Sequence, residues 1–301
     1  MKVPVLAIDA SGGDRKEPMA RAYGAIRAAV SAEGKYHVCL FGPTDTGLGQ
    51  YAGESLTVVE CRRRNDELKE VVLALTEHRI NAWITANDSQ RLQAVLHTSG
   101  LLNPDQVPGL LLPWPTRHPL GFGFRTDGGM SSKVIDPKYY LRLALGAIET
   151  LSRVYRRKQP KVGLLNIARE RASRVVRHIH EHLVANKLPG YVGYTEPDDF
   201  YRGEIDLQLG DGYDMNVILK ELEASVPFLL EVMGRAMFPK GYSDAFGVGK
   251  AAVEERLGYN EYLVSPVSGI GSYEIRRMHG KVNADQVAGA FMVVAAQITG
   301  R

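Results

Sequence analysis

Short apolar runs alternate with segments of helical period along most of this chain, and that alternation constrains its fold more than any other feature. "VPVLAID" reads as a strand. It is followed by "RKEPMARAYGAIRAAVSAEG", where Met19, Ala22, Ile26, Ala29 and Val30 recur at three-to-four spacing and Asp14 is the expected cap. "YHVCLFG" and "LTVVEC" read as strands, and "NDELKEVVLALTEH" as a helix with Leu68, Val71, Val72 and Leu75 on one face. "INAWITA" is a strand and "DSQRLQAVLHTSG" a helix ending at Gly100. Repeated strand–helix units predict a mostly parallel sheet between helices, a three-layer α/β fold.

From Leu101 to Lys138 the pattern breaks. Five prolines in "NPDQVPGLLLPWPTRHPLGFGFRTDGG" predict short, irregular strands and turns. Alternation then resumes. "PKYYLRLALGAIETLSRVYRRK" reads as a long helix and "KVGLLNI" as a buried strand; "RERASRVVRHIHEHLVANK" follows as a helix with Val175, Ile179 and Leu183 inward. "YVGYTE" and "GEIDLQ" are further strands, and "AFMVVAAQITG" is a final helix. No linker divides the chain, so residues 1–301 read as one α/β domain with an amphipathic helical insertion at about 228–260. The net charge of +3 is too small to argue for nucleic-acid binding. Cys39 and Cys61 form no disulfide framework, which favours a reducing cytoplasm. No segment has the roughly 18 consecutive apolar residues of a membrane span.

In open α/β sheets, ligands bind where strands end and helices begin. "DASGGD" is such a place: Gly12 and Gly13 allow close backbone approach to a phosphate or thioester oxygen, or simply make a tight turn capped by Asp14. Asp88 or Ser89 in "TANDSQR" is a helix cap or a site residue. Arg125, Asp127 and Lys133 lie in a substrate loop or a surface turn. Asn166 is a ligand contact or a cap. "LGDGYDMNVILK" is the strongest candidate, because Asn216 and Lys220 are four apart and share a helix face. Lys220 sits one turn inside that helix, near its positive end, where a cation is mildly disfavoured unless an anion is bound. The alternative is a solvated lysine. His178, His180 and His182 do not share one helix face, which argues against a metal site. His279 is a site residue only if its loop returns to the ligand edge.

Four stretches, in order, resemble the PlsX family, the phosphate acyltransferases of phospholipid synthesis. "AIDASGGD" resembles the family's D-x-M-G-G-D, and "VGLLNIARE" its L-L-N-I-G-E-E run. "YVGYTEPDDFYRGEIDLQLGDGYDMNVILKELEA" resembles its Y-x-G-x-x-E and D-V-x-V-x-D-G-F-x-G-N-x-x-L-K block, and "RRMHG" its S-H-G. The resemblance implies an isocitrate/isopropylmalate dehydrogenase-like fold, and acyl transfer from an acyl carrier protein or coenzyme A thioester to inorganic phosphate. It implies Lys220, Asn216 and Asp211 as catalytic residues. For substrate binding it implies Asp9, Gly12, Gly13, Asp14, Thr85, Asp88, Asn166 and His279. It requires no cofactor or metal, and it implies a cytoplasmic homodimer with peripheral membrane contact. Arg62, Arg63, Arg64, Arg156, Arg157 and Lys158 are candidates for a basic rim facing an acidic carrier.

Two loops depart from the pattern. "TANDSQR" stands for S-A-G-N-T-G-A, and "TDGGMSS" for a D-x-G-A-N motif; Met215 replaces the glycine before Asn216. A different donor, a different acceptor or lost activity are the alternatives that these changes open. A homologue that binds a carrier or partner enzyme without turnover is the second reading. The third is a metal- and nicotinamide-dependent dehydrogenase with Asp211 and Asp214 on Mg²⁺, disfavoured by the absence of a dinucleotide fingerprint.

Overall fold

A computed structural model describes residues 3–10, 18–62, 64–119, 121–131, 134–168, 171–256, 264–278 and 282–299. Its strands form two sheets. The first contains β1 (Val5–Asp9), β2 (His37–Pro43), β3 (Leu56–Cys61), β4 (Ala82–Thr85), β5 (Gly109–Leu110), β11 (Val264–Ser268) and β12 (Ile275–Met278), in the order β3-β2-β1-β4-β12-β11-β5. The first five strands of that order are parallel, and β11 is antiparallel to both its neighbours. The second sheet contains β6 (Leu112–Pro115), β7 (Phe122–Thr126), β8 (Val162–Leu165), β9 (Tyr191–Thr195) and β10 (Leu207–Leu209), in the order β6-β7-β10-β8-β9. Here only β6 runs antiparallel. This is the mostly parallel α/β architecture that the alternation predicts.

Side chains that alternate along each strand explain the layers. Leu6, Ile8, Val38 and Leu40 point to one face of the first sheet, under α1 (Pro18–Ser31) and Val287, Phe291 and Val294 of the last helix, Ala284–Thr299. Gly24 admits this contact, since a Cβ there would strike Val287. Ala7, Cys39, Phe41 and Trp83 point to the opposite face, under Leu68, Val71 and Leu75 of α2 (Arg64–Thr76) and Leu92 and Leu96 of α3 (Ser89–Ser99). Both faces are buried, which is why these strands read as unbroken apolar runs. Both cysteines are free and buried, and burial pushes each thiol up to about 11.

In the second sheet, Phe124, Val162, Leu164, Leu207 and Leu209 pack under α4 (Pro137–Tyr155) and α5 (Arg174–Ala185). On the other face Trp114 packs with Phe200 of α6 (Pro197–Arg202) and with Ile205, and Ile218, Leu219 and Leu222 of α7 (Gly212–Met237) lie against this cluster. Beyond α7, a 3₁₀ turn at Phe238–Lys240 leads into α8 (Ser243–Arg256). These helices overlap the stretch expected as an insertion at about 228–260, but α7 begins at Gly212 and residues 257–260 lie outside the described residues; the segment carries exposed Phe228, Leu229, Val232, Met233, Phe238, Tyr242 and Val248. Among the described residues no helix is long and apolar enough to cross a membrane.

Three expectations are corrected. Helix α5 begins at Arg174 rather than before Ser173, because the Ser173 hydroxyl accepts from the Val176 N–H and closes the N-terminus there. Val175 consequently faces outward, while Ile179 and Leu183 are buried. Val30, in the last turn of α1, is exposed because it points away from the sheet, while its neighbours Ala28, Ala29 and Ala32 hold the buried face of that turn.

Only Leu111 separates β5 from β6, so the chain passes directly from one sheet to the other. A buried ionic network fastens the joint. Glu274 lies 2.6 Å from Arg276 and 2.8 Å from Arg153 of α4. Arg276 also donates to Tyr155 Oη at 3.1 Å and to Gln297 at 2.6 Å. Removing one member leaves buried charge uncompensated, at a cost of about 3–5 kcal/mol. Glu274→Ala is therefore expected to lower the urea midpoint strongly, whereas the exposed Glu77→Ala, which loses only a surface pair with Arg79, should change the unfolding free energy by less than about 1 kcal/mol and move the midpoint little. Equal midpoints for the two variants would remove the network from the account of stability.

Candidate active site

The carboxyl ends of the parallel strands gather polar side chains at both sheets. On the first, Asp9, Thr85 and Arg277 lie side by side in register across β1, β4 and β12. Asp9 is fully buried and accepts from Trp83 Nε1 at 2.8 Å and Asn87 Nδ2 at 2.9 Å. Thr85 Oγ1 accepts from the Asn87 N–H at 3.1 Å and from its side-chain amide at 3.0 Å. Asp88 caps α3 by accepting from the Arg91 N–H at 2.8 Å. Arg277 Nε donates to the Asn87 carbonyl at 3.0 Å.

On the second sheet, Asp127, Asp211 and Asn166 follow the ends of β7, β10 and β8. Asp127 is fully buried and accepts from the N–H groups of Leu110 (3.1 Å), Met130 (3.2 Å) and Ser131 (2.6 Å). The Tyr139 hydroxyl adds a contact at 3.3 Å. Asp211 caps α7: its oxygens accept from the N–H groups of Asp214 at 2.8 Å and Val134 at 3.0 Å. The Ser131 hydroxyl accepts from the Gly212 N–H at 3.0 Å. Asn216 stands over the Gly129 turn, where φ is +91° and a Cβ would lie 3.6 Å from the Asn216 Cγ. A left-handed turn against a neighbouring side chain suits glycine.

Charge links the two edges. Burial pulls the Arg277 guanidinium below the usual arginine range, and the carboxylates of Asp88 and Asp127 oppose that effect. One arginine from the first sheet thus senses an acid from each side. Burial also raises the Asp127 carboxyl, against its backbone hydrogen bonds, and it raises the Tyr139 phenol, aided by the Asp127 charge. The N-termini of α3 and α7 open at the same edges and add partial positive charge. A guanidinium, two helix starts and several loop N–H groups suit an anion or a developing oxyanion.

The structure brings Asp9, Thr85 and Asp88 together on one edge, and Asp211, Asn216 and Asn166 on the other. Among the described residues Asn166 caps no helix. Its N–H bonds to Thr195 O at 2.9 Å and its amide folds back onto the Ala168 carbonyl. Lys220 is not drawn into this group. It is exposed, and its ammonium pairs with Glu223 one turn along the same helix. Asp211 is engaged with backbone N–H groups instead of orienting Lys220. Gly12, Gly13, Asp14, Lys133 and His279 lie outside the described residues. Arg125 belongs to neither a substrate loop nor a surface turn: it lies within β7 and is buried. Arg157 leaves the proposed basic rim, since it is buried on Asp206 at 2.8 Å and over the rings of Phe122 and Phe124. His180 bonds Tyr191 Oη at 2.9 Å and stacks on Tyr194. Arg277 was not singled out by sequence, although adjacent arginines in the apolar "YEIRRM" signal charges that need buried partners.

Two mostly parallel sheets with polar side chains gathered at their strand ends define the fold class seen in phosphotransacylases. A branched-chain phosphotransacylase from Enterococcus faecalis superposes with a TM-score of 0.57 at 11% identity, covering 98% of this chain and 99% of that one. A 4-hydroxythreonine-4-phosphate dehydrogenase from Burkholderia phymatum gives 0.53 at 13% identity, covering 99% and 98%. At such identities the likeness concerns fold alone. Sequence goes further. The profile described as "Fatty acid synthesis protein" matches residues 53–299, and the chain belongs to that family, the PlsX family. Relatives named phosphate acyltransferase include one from Shouchella clausii, 26% identical over 94% of this chain and 91% of that protein. Another, from Syntrophobacter fumaroxidans, is 27% identical over 95% and 85%.

The raised Asp127 carboxyl has a consequence for pH dependence. Between its ordinary value and its higher folded value the native state binds more protons than the unfolded chain, so this group makes stability fall as pH rises through that interval. Above the folded value the loss is complete and flat. Asp127→Asn removes this contribution, so the difference in urea midpoint between variant and wild type should change with pH above about 4. A constant difference between pH 4 and pH 8 would show that Asp127 titrates normally in the fold.

Proposed function

We propose that this chain transfers an acyl group from a carrier-protein or coenzyme A thioester to inorganic phosphate. A phosphate oxygen attacks the thioester carbonyl, the carbon–sulfur bond breaks, and the thiolate leaves with a proton to give acyl phosphate and free thiol. Membership of the PlsX family carries this reading, and the polar strand ends support it. Arg277, whose guanidinium lies beside Asn87, and the partial positive charge at the starts of α3 and α7 would hold anionic oxygen. Asn216 would donate to the oxyanion from its place above Gly129. No covalent enzyme intermediate is needed, because binding both reactants in line supplies much of the rate.

Lys220 takes part from the outer side of α7, by exchanging Glu223 for an acidic side chain of the carrier. Exposed pairs three apart on a helix are worth only a few tenths of a kcal/mol, so Glu223 releases the ammonium readily. The experiment is a panel of acyl thioesters with and without phosphate, with acyl phosphate trapped by hydroxylamine. Phosphate-dependent product is expected for at least one chain length, and Lys220→Ala should reduce it at least tenfold while unfolding cooperatively. Full turnover by the variant would exclude Lys220 from the reaction, and no product from any thioester would sink the acyl transfer itself.

One observation favours a second reading, a carrier-binding homologue without turnover. Asn87 stands where the resemblance expects glycine, and its buried side chain is engaged on Asp9 and Thr85. Carrier binding without product would support it.

We also propose that a second copy of the chain covers the apolar face of α7 around Phe228, Leu229, Val232 and Met233. Phe228→Glu and Val232→Glu together should convert a dimer to a monomer in sedimentation. A wild-type chain that sediments as a monomer at micromolar concentration would remove this assignment.

A further inference from the structure

The strongest unexplained feature lies on the outer face of the second sheet. Arg125 is 1% exposed, and its guanidinium sits 4.9 Å from the Trp114 ring centre, 4.4 Å from Phe200 and 5.2 Å from Tyr201. Its Nε donates to Gln208 Oε1 at 3.0 Å. Among the described residues no carboxylate pairs with the group, and Nη1 and Nη2 make no hydrogen bond of good geometry; the Tyr201 hydroxyl is the polar group that opposes the lowering of the guanidinium by burial. Three aromatic faces offset part of the desolvation through cation–π attraction. Rings cover the faces of a guanidinium and leave its edge unsatisfied. One edge position is taken by Gln208, and the terminal Nη1/Nη2 fork remains. That fork matches the two oxygens of a carboxylate.

An opening adjoins it. Pro115, Thr116, Arg117 and Tyr201 line a surface depression of about 340 Å³. Tyr201 belongs to both places, since its ring stacks on Arg125 and its edge lines the depression. It is 38% exposed, and its hydroxyl accepts from Trp114 Nε1 at 3.0 Å. Tyr201 is the side chain shared by the fork and the opening, where Arg117 adds a second, exposed cation. The depression lies away from the cleft. Pro115 pairs with Phe122 at the start of β7, five rises or about 16 Å along the strand from Asp127. The Arg125 side chain reaches back toward that end, to Trp114, which pairs with Gly123.

We propose that this depression is a binding site for a small-molecule carboxylate, with the Arg125 fork as its receptor and Tyr201 as its gate. The volume suits a ligand of roughly ten heavy atoms, at the small end of ligand pockets. The inference stands apart from acyl transfer and does not require it.

The full chain is titrated with benzoate, with acetate and inorganic phosphate as separate arms at matched ionic strength. Thermal unfolding and tryptophan emission are followed together. Benzoate is expected to raise the unfolding midpoint saturably and to change the emission of Trp114. Arg125→Met should abolish both responses while unfolding at an equal or higher temperature without ligand, because it removes a buried charge. If that variant does not fold, Arg125→Lys keeps the charge without the fork and should weaken benzoate at least tenfold. The proposal is overturned if no carboxylate gives a saturable response, if the Arg125 variants respond as wild type does, or if phosphate alone gives the Arg125-dependent effect. A phosphate response that is equal in all variants, beside an Arg125-dependent benzoate response, places phosphate in the cleft and supports the separate carboxylate site.

Discussion

The carboxylate of Asp127 joins parts of the molecule that local structure alone would leave apart. It accepts from Leu110 at the end of β5, from Met130 and Ser131 in the turn that leaves β7, and from Tyr139 in the first turn of α4. The first two contacts bind one sheet to the exit loop of the other, and the third ties both to the helix that spans the joint. Backbone donors buried at such a crossing must find acceptors or cost free energy, and one ionisable group supplies several. The cleft inherits its shape from this arrangement. Ser131 is held where its hydroxyl meets the start of α7, and Gly129 is held where Asn216 overlies it.

Much of this was legible in the sequence because the strands are buried on both faces. Continuous apolar runs such as those of β1, β2 and β4 can hardly be anything else in a chain with helices between them. The positions of the strand-end loops were legible for the same reason, since strand ends in such a fold are fixed once strands are. What a helix does with its faces was harder. Spacing puts Asn216 and Lys220 on one side of α7 but does not say which way that side turns. The stripe Met215, Ile218, Leu219 and Leu222 decides it, by packing inward on the sheet and on Phe200. Lys220 lies about 100° round the helix from Leu219, so it faces outward. The same reasoning applies to Val175, which Ser173 leaves in the first turn of α5 with nothing above it.

Long-range charge pairing was the least legible feature. Arg276 and Arg277 are neighbours, yet alternation sends them to opposite faces of the sheet. One joins Glu274, Tyr155 and Gln297 in a buried structural network. The other reaches Asn87 and the fields of Asp88 and Asp127 at the cleft. No local pattern separates a structural arginine from a site arginine when both are in one strand. The partners do, and they come from residues far away in the chain. Arg125 extends the point: it sits in an apolar strand, yet its environment holds rings and an amide where a counter-ion would be expected.

The altered first loop can be understood in the same terms. Asp9 is buried beside Thr85, and its two described donors are Trp83 and Asn87. Asn87 also satisfies Thr85 and offers its carbonyl to Arg277. With glycine at this position the amide would be lost, and Asp9 would need another donor or a bound ligand in its place. Asparagine therefore converts a carboxylate open to a ligand into one that organises the strand ends. Under the acyl-transfer proposal, holding the anion then falls to Arg277 and the start of α7, on the side where Asn216 and Ser131 stand.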